Sequence, residues 1–321
     1  MNAGIKSNLE RQIKSIHKNT RENSYGTRDR YLEATKRFCD FLADEFRLQK
    51  FANVQEKHLI RYVEQLNKAG ASPSTIQTDL SGIRFFHQRS GSKHTLPENS
   101  KLNLEKRSLG REDRSWTKQE IQQAREITKD TGRHDVRLAI SFAEKFGARI
   151  EGVCTVTVKD LKDALLVTNE VRLIEKGGKE RFVPVVNNEQ RLLLKDCIAH
   201  AAAKGRSGQV PFLSDSRKHG VRNQKASIQN WIINHRDKFI DNSREHRTSW
   251  KSVTQQLRIQ FGLKPRSEKI TFHGLRHTYC QNRIEELERQ GLSKKAIDLH
   301  VSREMGHHRA DVTRFYRNTF K

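Results

Sequence analysis

Several features that would place a protein in a familiar class are scarce or missing in this chain of 321 residues. It has four cysteines, which lie far apart: Cys39, Cys154, Cys197 and Cys280. None of them forms a C-x-x-C pair, so neither a disulfide framework nor a cysteine zinc site is indicated. No apolar run approaches the roughly 18 residues of a membrane span, and the charged N-terminus lacks the apolar core of a secretion signal. We therefore expect a soluble protein in a reducing, intracellular compartment.

Negative charge is also in short supply. The chain has 62 Lys and Arg against 38 Asp and Glu, which gives a net charge of +24. The excess is spread along the chain, and a basic surface of this kind favours a polyanionic partner, most commonly nucleic acid. The alternative is a solvated basic surface without a partner. The length allows two domains, each with its own core.

The first hundred residues predict a small all-helical domain. Residues 1–24 are polar and basic with little periodicity, so we expect a mobile N-terminal arm. Apolar residues then recur at helical spacing over residues 27–46 and 55–68. Ser72 and Pro73 predict the N-cap and first position of a third helix. We place this helical domain at residues 25–104, followed by a charged linker at residues 105–115.

The remainder, residues 116–321, predicts a second domain. Thr117 and Glu120 form a capping box that opens a helix. Short segments rich in Val, Leu and Ile at residues 164–167, 171–174 and 181–185 are separated by turns with Asn or Gly, which predicts three antiparallel strands. The predicted fold class is therefore mainly α with a small antiparallel β-sheet.

Candidate functional residues lie near the end of the chain. His273 and Arg276 form an H-x-x-R motif, which puts an imidazole beside a planar guanidinium fork suited to phosphate. By itself such a pair also fits an ordinary surface. His273 and His277 have the spacing of two metal ligands, but the H-E-x-x-H glutamate and a nearby third ligand are missing, so a metal site is disfavoured.

Three more positions are ambiguous when taken singly. Arg149 follows a predicted helix and fits a plain helix end. The run EKGGKER around Lys176 lacks the nucleotide-binding loop pattern, so it fits either a charged hairpin turn or a lysine projected from a hairpin tip. Tyr316 follows the Gly306-His307 pair by nine residues and is by default a core tyrosine.

In this order and spacing, the motifs resemble the tyrosine recombinases, also called phage-type integrases. GARIEG looks like the first arginine box of that family, and EKGGKERFVPV looks like its hairpin lysine segment. HGLRHTY resembles the H-x-L-R box, and MGHHRADVTRFY resembles the G-H box with its tyrosine. The resemblance covers residues 115–321, and residues 25–104 are similar in pattern to the core-binding domain of the family.

The resemblance implies a site-specific DNA recombinase that cuts and rejoins DNA through a 3′-phosphotyrosyl intermediate, for integration or excision of a mobile element. It implies a tyrosine nucleophile, two phosphate-binding arginines, a general acid, a proton acceptor and a further hydrogen-bond donor. The nucleophile is Tyr316, and the phosphate-binding arginines are Arg149 and Arg276. The general acid is Lys176, the proton acceptor is His273, and the further donor is His307. No metal or other cofactor is implied, because the guanidiniums supply the positive charge.

The implied partner is double-stranded DNA at an attachment or recombination site, bound by a tetramer on paired sites. Accessory DNA-bending or directionality factors are further expected partners, and no membrane is involved. We expect a bacterial or phage-encoded protein in the cytoplasm, associated with the nucleoid. Two alternatives stay open: a DNA-relaxing enzyme similar to type IB topoisomerases, and an inactive DNA-binding regulator.

The sequence departs from the family pattern at two points. The family usually has an acidic residue three positions after the first arginine, but here that position is Gly152 and the acid is Glu151. The sequence therefore leaves open which acid supports Arg149. The family also commonly has a helix after the tyrosine that packs on a neighbouring protomer, whereas residues 317–321 are all that follow Tyr316 here.

Overall fold

The computed structural model describes residues 2–105, 114–175, 178–214, 219–241 and 270–306. The chain divides into two compact units, with residues 2–105 in the first and the other described residues in the second. Within these ranges, no helix combines the length and apolar character needed to cross a membrane.

Over residues 2–105, the first unit has four α-helices around an aromatic-rich core. They are α1 (Ala3–Asn19), α2 (Tyr25–Phe46), α3 (Glu56–Lys68) and α4 (Pro73–His87). Phe38, Phe51 and Phe86 are fully buried at their centre. Helix α4 begins as the sequence predicted, because the hydroxyl of Ser72 accepts a hydrogen bond from the Thr75 amide at 3.2 Å.

The expectation of a mobile arm over residues 1–24 is wrong for most of that segment. Helix α1 occupies it, and Leu9 and Ile13 are fully buried in the core of the first unit. Ile5 and Ile16 pack against the same core. These residues form one apolar stripe along the helix. The stripe is not evident from the composition, because most residues of the segment are charged or polar.

The second unit is also mainly helical. Its helices are α5 (Lys118–Asp130), α6 (His134–Phe146), α7 (Ile150–Thr155), α8 (Val158–Asp163), α9 (Asn188–Ala203), α10 (His219–Phe239), α11 (Gly274–Arg289) and α12 (Lys294–Glu304). The predicted capping box at the start of α5 is present: the amide of Thr117 donates to Glu120 Oε2 at 2.7 Å, and the amide of Glu120 donates to Thr117 Oγ1 at 3.0 Å. Helix α6 is central, with Leu138, Phe142 and Phe146 fully buried.

A two-stranded antiparallel sheet completes the second unit. Strands β1 (Glu170–Glu175) and β2 (Lys179–Pro184) pair so that Glu175 lies opposite Lys179 at the turn. Val171, Leu173 and Val183 point into the core and are fully buried.

The third strand predicted at residues 164–167 does not form. Residues Ala164–Thr168 continue from α8 as one turn of π-helix. Leu166 and Val167 are 81% and 77% exposed, so this apolar run has no sheet face to bury. A short run rich in Leu and Val is ambiguous between helix and strand, and here the preceding helix decides.

Candidate active site

Arg149 is delivered by a sharp turn at the end of α6. Gly147 ends that helix in the left-handed conformation, with φ of +57°. A Cβ at this position would lie 2.4 Å from Cδ1 of Tyr279, so both the backbone angle and the close approach require glycine. The chain leaves this turn extended at Arg149, which immediately precedes α7.

The guanidinium of Arg149 pairs with the carboxylate of Glu175, the last residue of β1. The Glu175 side chain is 5% exposed, whereas that of Arg149 is 36% exposed. The carboxylate therefore holds the arginine from the protein side, while part of the Arg149 side chain stays accessible to solvent.

Arg276 lies in the first turn of α11, whose start is fixed by Trp116. The indole Nε1 of Trp116 donates to the carbonyl of Thr271 at 2.8 Å, and its backbone amide donates to Thr278 Oγ1 at 2.7 Å. A Cβ at Gly274 would lie 2.7 Å from Cδ1 of Trp116, so only glycine permits this contact. These contacts set the position from which Arg276 enters the site.

Arg276 is fully buried and joins the ends of two helices. It donates from Nη1 to the carbonyl of Gly147 at 2.5 Å and from Nη2 to the carbonyl of Met305. Its Nη1 also lies 3.4 Å from Glu175 Oε1. A cation at the carbonyl ends of α6 and α12 satisfies acceptors that helices leave unpaired and complements both helix dipoles.

Arg181, on β2, is a second buried arginine in the same network. Its Nε donates to Glu175 Oε1 at 2.9 Å, and its Nη2 donates to the carbonyl of Gly147 at 2.8 Å. Its Nη1 donates to the carbonyl of Glu304. Burial lowers the pKa of Arg181 well below its ordinary value, and the nearby charge of Arg276 lowers it further.

Three arginine side chains meet at one carboxylate in this cluster. Three guanidiniums share the one carboxylate of Glu175. The carboxylate of Glu304 acts on Arg181 as well; it also accepts from Tyr279 Oη at 2.8 Å and forms an ion pair with Arg283 at 2.9 Å. A partly exposed guanidinium beside two buried ones can bind an anion such as a phosphodiester.

His273 occupies the position just before α11, beside this cluster. Loss of hydration lowers the pKa of His273 to about 4, and the charges of Arg276 and Arg149 contribute to the shift. The ring keeps an exposed face, so it can still meet a substrate. At neutral pH the imidazole is therefore uncharged and can accept a proton.

The rings of His273 and His277 are 5.5 Å apart and nearly perpendicular. Among the residues that the structure describes, no group of three His, Cys, Asp or Glu is arranged to hold a metal ion.

The structure therefore brings together three of the six predicted site residues: Arg149, His273 and Arg276. The other three, Lys176, His307 and Tyr316, lie outside the described residues, and their roles stay predictions. Their neighbours in the chain are described. The hairpin closes with a hydrogen bond of 3.0 Å from the Gly178 amide to the Glu175 carbonyl. A Cβ at Gly306 would lie 3.0 Å from Arg181 Cδ.

Sequence reasoning missed two members of the cluster, Glu175 and Arg181. Both belong to the EKGGKER run, in which the resemblance assigns a role only to Lys176. The signal that could have pointed to them is their position on inward-facing strand sites, where a charged residue needs a partner. That partner is remote in the sequence: Glu175 and Arg276 are separated by 101 residues.

Comparison with known families agrees with this geometry. Residues 114–321 match the Phage integrase family, and residues 17–92 match the Phage integrase, N-terminal SAM-like domain. Since the first match covers more than half of the sequence, the chain belongs to the phage integrase family.

Individual relatives are distant but extend over nearly the whole chain. The tyrosine recombinase XerD of Oceanobacillus iheyensis is 23% identical over 308 residues, covering 92% of this chain and 90% of the relative. The tyrosine recombinase XerC of Roseiflexus castenholzii is 21% identical, with coverage of 86% and 83%.

Solved structures show the same fold. A lambda integrase bound to DNA aligns with a TM-score of 0.60 at 14% identity, covering 97% of this chain and 95% of that one. The Tn1549 transposon integrase in complex with transposon right end DNA aligns with a TM-score of 0.53 at 18% identity, covering 98% and 96%.

Proposed function

We propose that this protein is a site-specific DNA recombinase that integrates or excises a mobile element. The observation that carries the proposal is the cluster of Arg149, Arg181 and Arg276 around one carboxylate, with Arg149 open to solvent. Strand β1 ends at Glu175, immediately before Lys176, and the segment after α12 ends at Gly306, immediately before His307. Fixed positive charge at this point suits the phosphoryl centre of a transesterification.

The proposed reaction exchanges one phosphodiester for another. Tyr316 Oη attacks the phosphorus in line, the bond to the 5′ oxygen breaks, and a 3′-phosphotyrosyl link forms. His273 takes the tyrosine proton, and Lys176 gives a proton to the departing 5′ oxygen. A 5′-hydroxyl of a second duplex then attacks the link, and Tyr316 recovers its proton. Bond energy is conserved, so neither ATP nor another cofactor is consumed.

Negative charge that develops on the non-bridging oxygens is met by Arg149 and Arg276, with His307 as a further donor. Arg149 is the more accessible of the two arginines. Because the guanidinium positions are fixed by Glu175 and by helix-end carbonyls, little reorganisation is needed when the charge develops.

The proposed partner is double-stranded DNA, held by a tetramer on paired sites with accessory factors. Related structures support this, since one contains a lambda integrase tetramer bound to a Holliday junction. A net charge of +24 also suits DNA. Each phosphate neutralised should contribute about −0.9 to the log–log slope of affinity against salt. We place the reaction in the bacterial cytoplasm, on nucleoid DNA.

The direct test is covalent adduct formation. Duplexes that the wild-type protein selects from a random-sequence pool would be synthesised with a nick beside the cleavage point, so that the short strand departs and the adduct accumulates. We expect a protein–DNA adduct with the wild type and none with Tyr316→Phe, which should bind the same duplex nearly as well. A wild type that forms no adduct on any selected duplex would support an inactive DNA-binding regulator instead.

Strand exchange separates recombination from relaxation. Two labelled duplexes carrying the selected site should yield recombinant strands with the wild-type protein. Cleavage and plasmid relaxation without exchange would instead support the topoisomerase alternative.

Lys176 and Lys179 flank the same turn and need a test of their own. A 5′-bridging phosphorothiolate leaves as a thiolate and needs no proton, so it should restore cleavage by Lys176→Ala. We expect a smaller defect for Lys179→Ala that sulfur does not restore. Restoration of the Lys179 variant alone would reverse the two roles.

A further inference from the structure

The acid that the family pattern places three residues after the first arginine is missing, and its neighbour does not replace it. Glu151 is 44% exposed, and its carboxylate lies 3.6 Å from Lys225 Nζ. It therefore points away from Arg149 towards α10. Another acid must support Arg149 if the arginine is to be held in place.

Atoms of strand β1 lie next to Gly152. A Cβ built on Gly152 would lie 3.9 Å from Glu175 Oε1 and 3.7 Å from the carbonyl oxygen of Ile174. The carboxylate of Glu175 thus lies in contact distance of the point where a side chain at position 152 would begin. These are ordinary contact distances, so the backbone at Gly152 could itself carry a side chain.

The two oxygens of Glu175 serve different arginines. Oε2 pairs with Arg149, while Oε1 accepts from Arg181 Nε at 2.9 Å and lies 3.4 Å from Arg276 Nη1. The buried carboxylate of Glu175 therefore fixes the distance between the partly exposed Arg149 and the two buried arginines, Arg181 and Arg276. Glu180, on the same hairpin, is different: it is 46% exposed and pairs with Arg172 alone.

We propose that Glu175 is the positioning carboxylate of this active site, supplied by strand β1 in place of the acid absent at position 152. It orients Arg149 towards the phosphate and ties the strand that ends before Lys176 to the same arginine. The inference rests on the proposed function, because it assigns the residue that prepares Arg149 for that reaction.

The first test is Glu175→Gln, which keeps the shape and removes the charge. On the nicked selected duplex, we expect single-turnover cleavage to fall by about 10², with the Kd for DNA within about twofold of wild type. A 5′-bridging phosphorothiolate should not restore the rate, because the defect lies in the arginine and not in the general acid. Glu180→Gln is the matched control and should cleave as wild type does.

Three results of this test would overturn the inference. A folded Glu175→Gln that cleaves at the wild-type rate shows that the carboxylate is dispensable. If the 5′-bridging phosphorothiolate restores the cleavage rate of Glu175→Gln, Glu175 acts through Lys176. An equal loss in Glu180→Gln shows a general effect on the hairpin.

A second test returns the acid to the family position. Glu175→Ala should be slow, and the double variant E175A/G152E should regain at least tenfold, because a carboxylate at position 152 enters the vacated space. A double variant that is no faster, or that does not fold, contradicts the inference even if Glu175→Gln cannot be purified. Adduct formation by the wild type is the reference throughout: its absence would defeat the proposed function, whereas these variants test only Glu175.

Discussion

Each unit of this protein holds a buried ion network, and the two networks differ in the number of arginines that contact one carboxylate. In the first unit, Arg37 Nη2 lies 2.9 Å from both carboxylate oxygens of Asp79. The Asp79 side chain is 3% exposed, and that of Arg37 is 24% exposed. Arg37 is the principal cation at Asp79, with smaller contributions from Arg30 and Tyr62 of the same unit.

In the second unit, three arginines meet the single carboxylate of Glu175. Clustered positive charge is costly to bury, and carbonyls at the ends of α6 and α12 offset part of that cost. We propose that the two networks represent two uses of buried arginine: the pair supports packing, and the cluster of three binds an anion from outside. The following predictions test that separation.

The largest effect is expected from Arg149. Arg149→Ala should slow single-turnover cleavage by about 10² to 10³, the usual loss for one transition-state donor, and leave the thermal unfolding midpoint nearly unchanged because the side chain is partly exposed. Arg172→Ala, which removes an arginine of the same 36% exposure from β1, is the control and should cleave normally. If Arg149→Ala cleaves at the control rate, the cluster is a packing network like that of the first unit.

Breaking the pair of Arg37 and Asp79 should affect stability instead. Arg37→Met leaves a buried carboxylate without its cation, so we expect a loss of about 2–3 kcal/mol in unfolding free energy, below the roughly 3–5 kcal/mol for a fully buried pair because Arg37 is partly exposed. Urea unfolding measures this loss. Cleavage by the folded variant should be unchanged, and a selective loss of cleavage would remove the contrast between the units.

The same variant should be less affected in acid. Burial raises the pKa of Asp79 above its usual range, against the lowering effect of Arg37. As the pH falls through that raised pKa, the carboxyl becomes neutral and no longer needs a cation. The stability difference between Arg37→Met and wild type should therefore shrink at low pH. An undiminished difference would show that charge is not its cause.

A smaller effect is expected at His273. Its pKa of about 4 should rise in Arg149→Met because a nearby positive charge is removed. The pKa of His87, in the first unit, should stay the same in that variant. Histidine ring NMR titration measures both values. Because an unfolded histidine titrates near 6.5, His273 should also reduce stability as the pH falls from about 6.5 to 4. An unchanged midpoint for His273 would place Arg149 too far away to share a substrate with it.

The smallest effect is expected from a chelator. The guanidiniums provide the fixed positive charge in this account, so treatment with EDTA should leave the cleavage rate unchanged. A loss that a divalent ion reverses would favour a metal at His273 and His277.

Local signals predicted the helix starts well. Ser72 before Pro73 and Thr117 with Glu120 identify two N-termini because caps depend on residues that are close in sequence. The strand pair was also predictable, since its buried residues alternate. The assignment of the linker at residues 105–115 stays a prediction, as does the division of the chain that depends on it.

The features that were mispredicted or missed depend on distant contacts. Helix α1 owes its order to the burial of Leu9 and Ile13 in a core made by later helices. Alternation along the hairpin places Glu175 on an inward-facing site and Glu180 on an outward-facing one, but the partners of Glu175 come together only when β1, α6 and α11 meet. The arginine cluster is likewise a property of the assembled unit and not of any segment.

The most direct test of the central claim is to identify the residue that becomes attached to DNA. The adduct trapped on a nicked selected duplex would be digested with trypsin and nuclease, and the modified peptide would be sequenced by mass spectrometry. We predict that the nucleotide is carried by Tyr316, in the peptide between Arg314 and Arg317. Attachment to any other residue, such as Tyr279, would contradict the account.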